Sequence, residues 1–117
     1  MPISRPAILA LSSLLLSSCQ HAAPQSAYEQ HEGRALAQAA CGGCHMVEPY
    51  GLSANPQAPE WAVIANTPGL TRETLLTWLT EAHNYPDQMD FYLEQDEAEL
   101  LADYMLTLRR DDYHPPY

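Results

Sequence analysis

The chain has 117 residues, with 15 acidic against 5 basic side chains and a formal net charge of −10. That length fits one domain, and that charge excludes a nucleic-acid partner, because phosphate binding needs a basic surface. All five bases are arginine, so the surface suits a basic partner or simple solvation.

Residues 1–18 have the layout of a secretory signal: Arg5 near the start, an apolar run from Ala7 to Leu16, then two serines. The run is shorter than the roughly 20 apolar residues that a membrane-spanning helix needs. Leu16-Ser17-Ser18-Cys19 resembles a bacterial lipobox. That resemblance implies that Cys19 becomes a diacylated N-terminus that anchors the protein on the periplasmic side of a bacterial membrane. Without the lipid the expectation is a soluble periplasmic protein. Either outcome exports the chain to a compartment that permits disulfides.

Residues 19–27 read as a short polar tether. From Tyr28 to Ala40 the chain is rich in helix formers, with Gly33 the one weak point. Residues 47–59 contain three prolines and a glycine and predict a loop. Pro59 can open a short helix over 60–65, which Pro68 and Gly69 end. Thr71 caps a further helix, in which Leu75, Trp78, Leu79 and Ala82 share a face. Residues 84–90 are turn-like. The last helix runs over 96–109, with Asp96, Glu97 and Glu99 early and Arg109 and Arg110 late, matching the helix dipole. Leu100, Leu101, Tyr104, Met105 and Leu108 form its buried stripe. The tail, 111–117, is expected to be loose. No period-two pattern marks a strand, so the expected fold is all-α, about four short helices. A helical part this small and poor in phenylalanine is expected to need something besides side chains to fill its centre.

Cys41-Gly42-Gly43-Cys44-His45 sits between the first helix and the proline-rich loop. A redox CxxC belongs beside a βαβ pattern, and none is visible. A structural zinc needs four ligands, yet His21, His31, His83 and His114 are scattered without partner spacing. A plain disulfide has no use for His45. Covalent haem c accounts for all three residues, with one thiol for each of the two vinyl groups and the imidazole for the iron. The iron's sixth position then decides the chemistry. Met46 adjoins His45 and lies on the same side, and Met105 has core spacing on the last helix. Met89 lies in a turn-rich loop, free to reach the open face, and is the expected distal ligand.

Over residues 28–110 the chain resembles the small monohaem class I c-type cytochromes. Gly33 stands where that family keeps a glycine at the crossing of its first and last helices. Leu101 and Tyr104 match the Leu-x-x-Tyr packed against the crossing. Cys41, Cys44 and His45 match the haem motif. Asn55, Pro56, Ala58 and Pro59 resemble the loop whose proline carbonyl accepts the histidine's proton, with Pro56 and Pro59 both eligible. Trp61 stands where an aromatic commonly flanks the haem, and the segment around Met89 resembles the methionine loop. Two positions depart from the family pattern: Asp90 follows Met89 in place of proline, and Ala37 replaces a common phenylalanine. Ala37 predicts a closer or less filled crossing.

The resemblance implies an exported one-electron carrier that exchanges electrons with redox proteins, which could dock through a basic face. Two alternatives share the motif. One is a haem enzyme or gas sensor with a labile Met89, and the other is a haem subunit of a larger respiratory complex.

Overall fold

The computed structural model describes Met1 and residues 26–82 and 86–115. Apart from Met1, the expected signal segment lies outside the described residues, as do Cys19, the tether up to residue 25, residues 83–85 and the last two residues of the tail.

The first helix is split. Glu29 accepts from both the main chain and the hydroxyl of Ser26, at 2.8 and 2.9 Å, and starts α1, Ala27–Gln30. His31 then turns extended (φ −76°, ψ 130°), and its Nδ1 accepts the Gly33 N–H at 3.0 Å. A side-chain acceptor at this point competes with the helical ladder, and glycine is the weakest helix former beside it. The chain therefore restarts as α2, Gly33–Ala40, instead of running unbroken from Tyr28.

α2 crosses the last helix, α5, Gln95–Leu106. A Cβ added at Gly33 would stand 2.8 Å from Tyr104 Cβ and would also collide with the Leu100 carbonyl. Only glycine lets the two backbones approach this closely. Ala37, one turn on, is fully buried on the same face, as are Leu101 and Tyr104. The small residue at position 37 thus sits inside a close crossing.

Two shorter helices complete the layer around α5. α3, Trp61–Ala65, follows the proline-rich loop. Thr71 caps α4, Arg72–Thr77: its hydroxyl accepts the Thr74 N–H at 3.2 Å, and its own N–H donates to the Thr74 hydroxyl at 3.0 Å. α4 widens into a π turn over Trp78–Ala82. Leu75 and Leu79, four apart, stay buried, whereas Trp78, expected on the same stripe, is 40% exposed. The wider turn swings it off the 3.6-residue face. The Arg72 guanidinium grips the Asp103 carboxylate through two bonds of 2.5 and 3.0 Å and ties α4 to α5. The arginine holds the Asp103 carboxyl below its usual range.

After a 3-10 turn at Asp87–Met89, Leu93 enters the core and half-buried Phe91 packs against it. Glu97 accepts the Glu94 N–H at 3.0 Å and opens α5. At the far end Arg109 does more than complement the dipole. It donates to the carbonyls of Ala65, at 2.9 Å, and Leu70. Asn66 accepts the Arg110 N–H at 3.0 Å and donates to the Leu108 carbonyl at 3.2 Å. These bonds fasten the end of α5 to the turn after α3. The tail is not wholly loose: the Arg110 guanidinium lies 4.6 Å from the Tyr50 ring centre and 5.4 Å from that of Tyr113.

Among the described residues every regular element is helical and none is a strand, so the described part of the chain is all-α. A single core cluster joins Ala37, Val47, Trp61, Leu75, Leu79 and Leu93 to the buried face of α5, which includes Met105 as core packing.

Candidate functional site

The Cys41–His45 segment leaves α2 as a tight turn. Cys41 ends the helix, its N–H bonding the Ala37 carbonyl at 2.9 Å. The Cys41 carbonyl then accepts from Cys44 and His45 at 3.1 and 2.9 Å. Both thiols are free. Cys44 is exposed and Cys41 is half-buried, which pushes the Cys41 thiol up to about 11.

The proline-rich loop folds back onto this turn. Asn55 donates its N–H to the Cys44 carbonyl at 3.1 Å. Its side chain accepts the Gln57 N–H at 3.0 Å, and its carbonyl accepts from Ala58 at 2.9 Å. That side-chain turn is what asparagine favours. Pro56 and Pro59 both stay exposed, but the turn brings only the Pro59 carbonyl to the histidine. His45 Nδ1 and the Pro59 carbonyl oxygen are 2.7 Å apart. A carbonyl can only accept, so Nδ1 carries a proton, which in the neutral ring leaves the lone pair on Nε2. Between the two eligible prolines, the structure selects Pro59.

Met46, next in sequence, is held from both sides. Its N–H donates to the Ser53 hydroxyl at 3.0 Å, and its carbonyl accepts the Trp61 N–H at 2.9 Å. Its side chain packs on Gly51, whose φ of 114° makes the turn below it. Trp61 is buried, and its ring centre lies 6.0 Å from that of Tyr104. The Tyr104 hydroxyl in turn donates to the Val47 carbonyl at 2.8 Å. The motif is thus braced against α3 on one side and α5 on the other.

No family model, curated protein or solved structure matches this chain.

Among the described residues no three His, Cys, Asp or Glu side chains converge as a metal site. A zinc ion would need its ligands to meet at one point. Haem attachment asks something different: the two thiols reach two vinyl groups, and the imidazole reaches a third point, the iron. Two free thiols three residues apart, and an imidazole with a fixed tautomer and a spare lone pair, fit that group.

The remaining predicted residues are placed less tightly. Met89 closes the 3-10 turn and is half-buried, its N–H bonding the Pro86 carbonyl at 2.7 Å. Asp90 beside it is exposed. Met89 belongs to a different segment from the Cys41–Trp61 cluster, the one that leads into α5. Two residues that sequence reasoning passed over also belong to the cluster. Ser53 supplies the hydroxyl that holds Met46, and Glu60 is the buried charged side chain among the described residues, 7% exposed. An acid set between Pro59 and the apolar run Trp61-Ala62-Val63-Ile64 is the one sequence signal that pointed to Glu60.

Proposed function

We propose that the protein is an exported one-electron carrier of the cytochrome c fold, with one haem c bonded to Cys41 and Cys44. His45 and Met89 would hold its iron, and Cys19 is the lipid anchor. When bound, haem c supplies a one-electron couple, Fe(III) taking an electron from a reduced partner protein and Fe(II) passing it to an oxidised one.

The observation that carries this reading is the 2.7 Å bond from His45 Nδ1 to the Pro59 carbonyl. It fixes the imidazole's tautomer, the usual arrangement behind a metal-bound histidine. The main-chain bonds from Asn55 and Trp61 hold the turn and the carbonyl in register, so the ring is aimed before any metal binds. Burial of Trp61 and Tyr104 behind the motif keeps water from that side. Exposed Leu52 and Tyr50, both 71% accessible, follow the motif on the loop. The charge of −10 favours partners with a basic face.

The test is expression of the full chain with a haem c maturation system, followed by denaturing mass spectrometry and a visible spectrum in both oxidation states. One haem should stay attached through acid and organic solvent. A haem that washes out, or none at all, refutes the reading.

A further inference from the structure

We infer that Glu60 is a positioning residue for His45, acting through Ser53, Met46 and the Pro59 carbonyl, and that its buried charge biases the bound group towards its more oxidised state. This rests on the haem reading above.

A carboxylate out of water is costly unless it is hydrogen-bonded. Glu60 is 7% exposed, and one of its partners is the Ser53 N–H, at 3.3 Å from Oε1. The bonding then closes on itself. Ser53 Oγ accepts the Met46 N–H at 3.0 Å, and the Met46 carbonyl accepts the N–H of Trp61, the residue after Glu60. Both ends of this ring flank the imidazole: Met46 follows His45, and Glu60 follows Pro59, whose carbonyl takes the Nδ1 proton. The Glu60 main chain is fixed as well, because its carbonyl accepts from Val63 and Ile64 at 3.0 and 3.2 Å at the start of α3. The side chain therefore joins the loop to a helix end that cannot shift without breaking α3.

Two consequences follow for the imidazole. The ring of bonds holds the Pro59 carbonyl where His45 meets it, which keeps the tautomer. The negative charge one residue from that carbonyl strengthens it as an acceptor, and a histidine that gives more of its proton away donates more to the metal. Ferric iron carries one more positive charge than ferrous, so both effects favour the oxidised state.

The experiment uses the full-length holoprotein and three variants. Glu60→Gln keeps the side chain's size and an oxygen acceptor but removes the charge. The reduction equilibrium should move at least tenfold towards the ferrous form, about 59 mV for one electron, with the Met46 and Ser53 amides as protected from hydrogen exchange as before. Ser53→Ala keeps the charge and cuts the relay. The Met46 amide should exchange faster, and the potential should move less than in Glu60→Gln. Glu60→Ala should show both changes, and its amide exchange is also read in the haem-free chain. A Glu60→Gln holoprotein with an unchanged potential overturns the charge assignment. Unchanged Met46 exchange in both alanine variants overturns the positioning role. In either case the haem reading stands. A wild-type chain that takes up no haem removes that reading and this proposal with it.

Discussion

Replacing Gly33 with alanine adds one methyl group at the tightest point of the fold. The new Cβ would sit 2.8 Å from Tyr104 Cβ and against the Leu100 carbonyl. Carbon atoms rest about 3.5–4.0 Å apart, so α2 and α5 must separate by roughly 0.7–1.2 Å. Neither neighbour can yield by rotating: one is a backbone oxygen, and the other is a Cβ fixed to its helix. Tyr104 and Ala37 on either side are fully buried, so the separation is felt through the core. Overpacking of this kind costs about 1–3 kcal/mol. Alanine returns at most about 1 kcal/mol of helix propensity, and less here, because Gly33 is the first residue of α2. The net loss is about 1–2 kcal/mol, and each kcal/mol lowers the melting temperature by about 4–8 °C in a domain of this size. Thermal unfolding of the full chain, followed by far-ultraviolet circular dichroism, measures it. A Gly33→Ala protein as stable as the wild type, or more so, refutes the close crossing.

Tyr104→Phe removes the donor to the buried Val47 carbonyl and should cost about 1–3 kcal/mol in denaturant unfolding, since that carbonyl is left unpaired. The Tyr104 phenol is itself pushed up to about 12, chiefly by burial. Its stabilising share is whole below the ordinary value near 10 and is lost as pH rises towards 12, so alkaline unfolding should begin in that window and begin differently in the phenylalanine variant. Arg72→Gln should lower the denaturant midpoint only slightly at neutral pH, because the pair is 39% and 42% exposed and solvent screens it. Asp103 is held low by that arginine; its contribution is present above about pH 4 and is lost as pH falls through the lowered value, so the gap between variant and wild type should close in acid. Met89→Ala should abolish the weak ferric sulfur–iron band of the holoprotein, and a surviving band would assign the ligand to another residue. Cys19→Ala should shift the exported protein from the membrane to the soluble fraction; a wild type already soluble there contradicts the anchor.

Local patterns in the chain determined a good deal. Thr71 and Thr74, the acids at the start of α5 and the apolar stripe Leu100–Leu101–Tyr104–Met105–Leu108 act within a few residues of one another, so their spacing alone located two helices and a core face, with Leu100 left half-buried at its edge. The grouping of two thiols with an adjacent imidazole was likewise legible, because Cys41, Cys44 and His45 lie within a single turn of the chain. Tertiary contact decided the rest. The choice of Pro59 over Pro56 depends on the Asn55 turn and on where α3 anchors, which no local pattern encodes. The break at His31 arises because an imidazole nitrogen takes the Gly33 N–H while Gly33 itself is pressed against α5. Trp78 leaves its stripe because a π turn adds a residue to the winding, and Arg110 is drawn between Tyr50 and Tyr113 by rings far apart in sequence. Glu60 shows the limit most plainly. A glutamate ordinarily reads as surface, the apolar run after it is a faint signal, and the folded loop, by closing a ring of hydrogen bonds around it, makes it part of the interior.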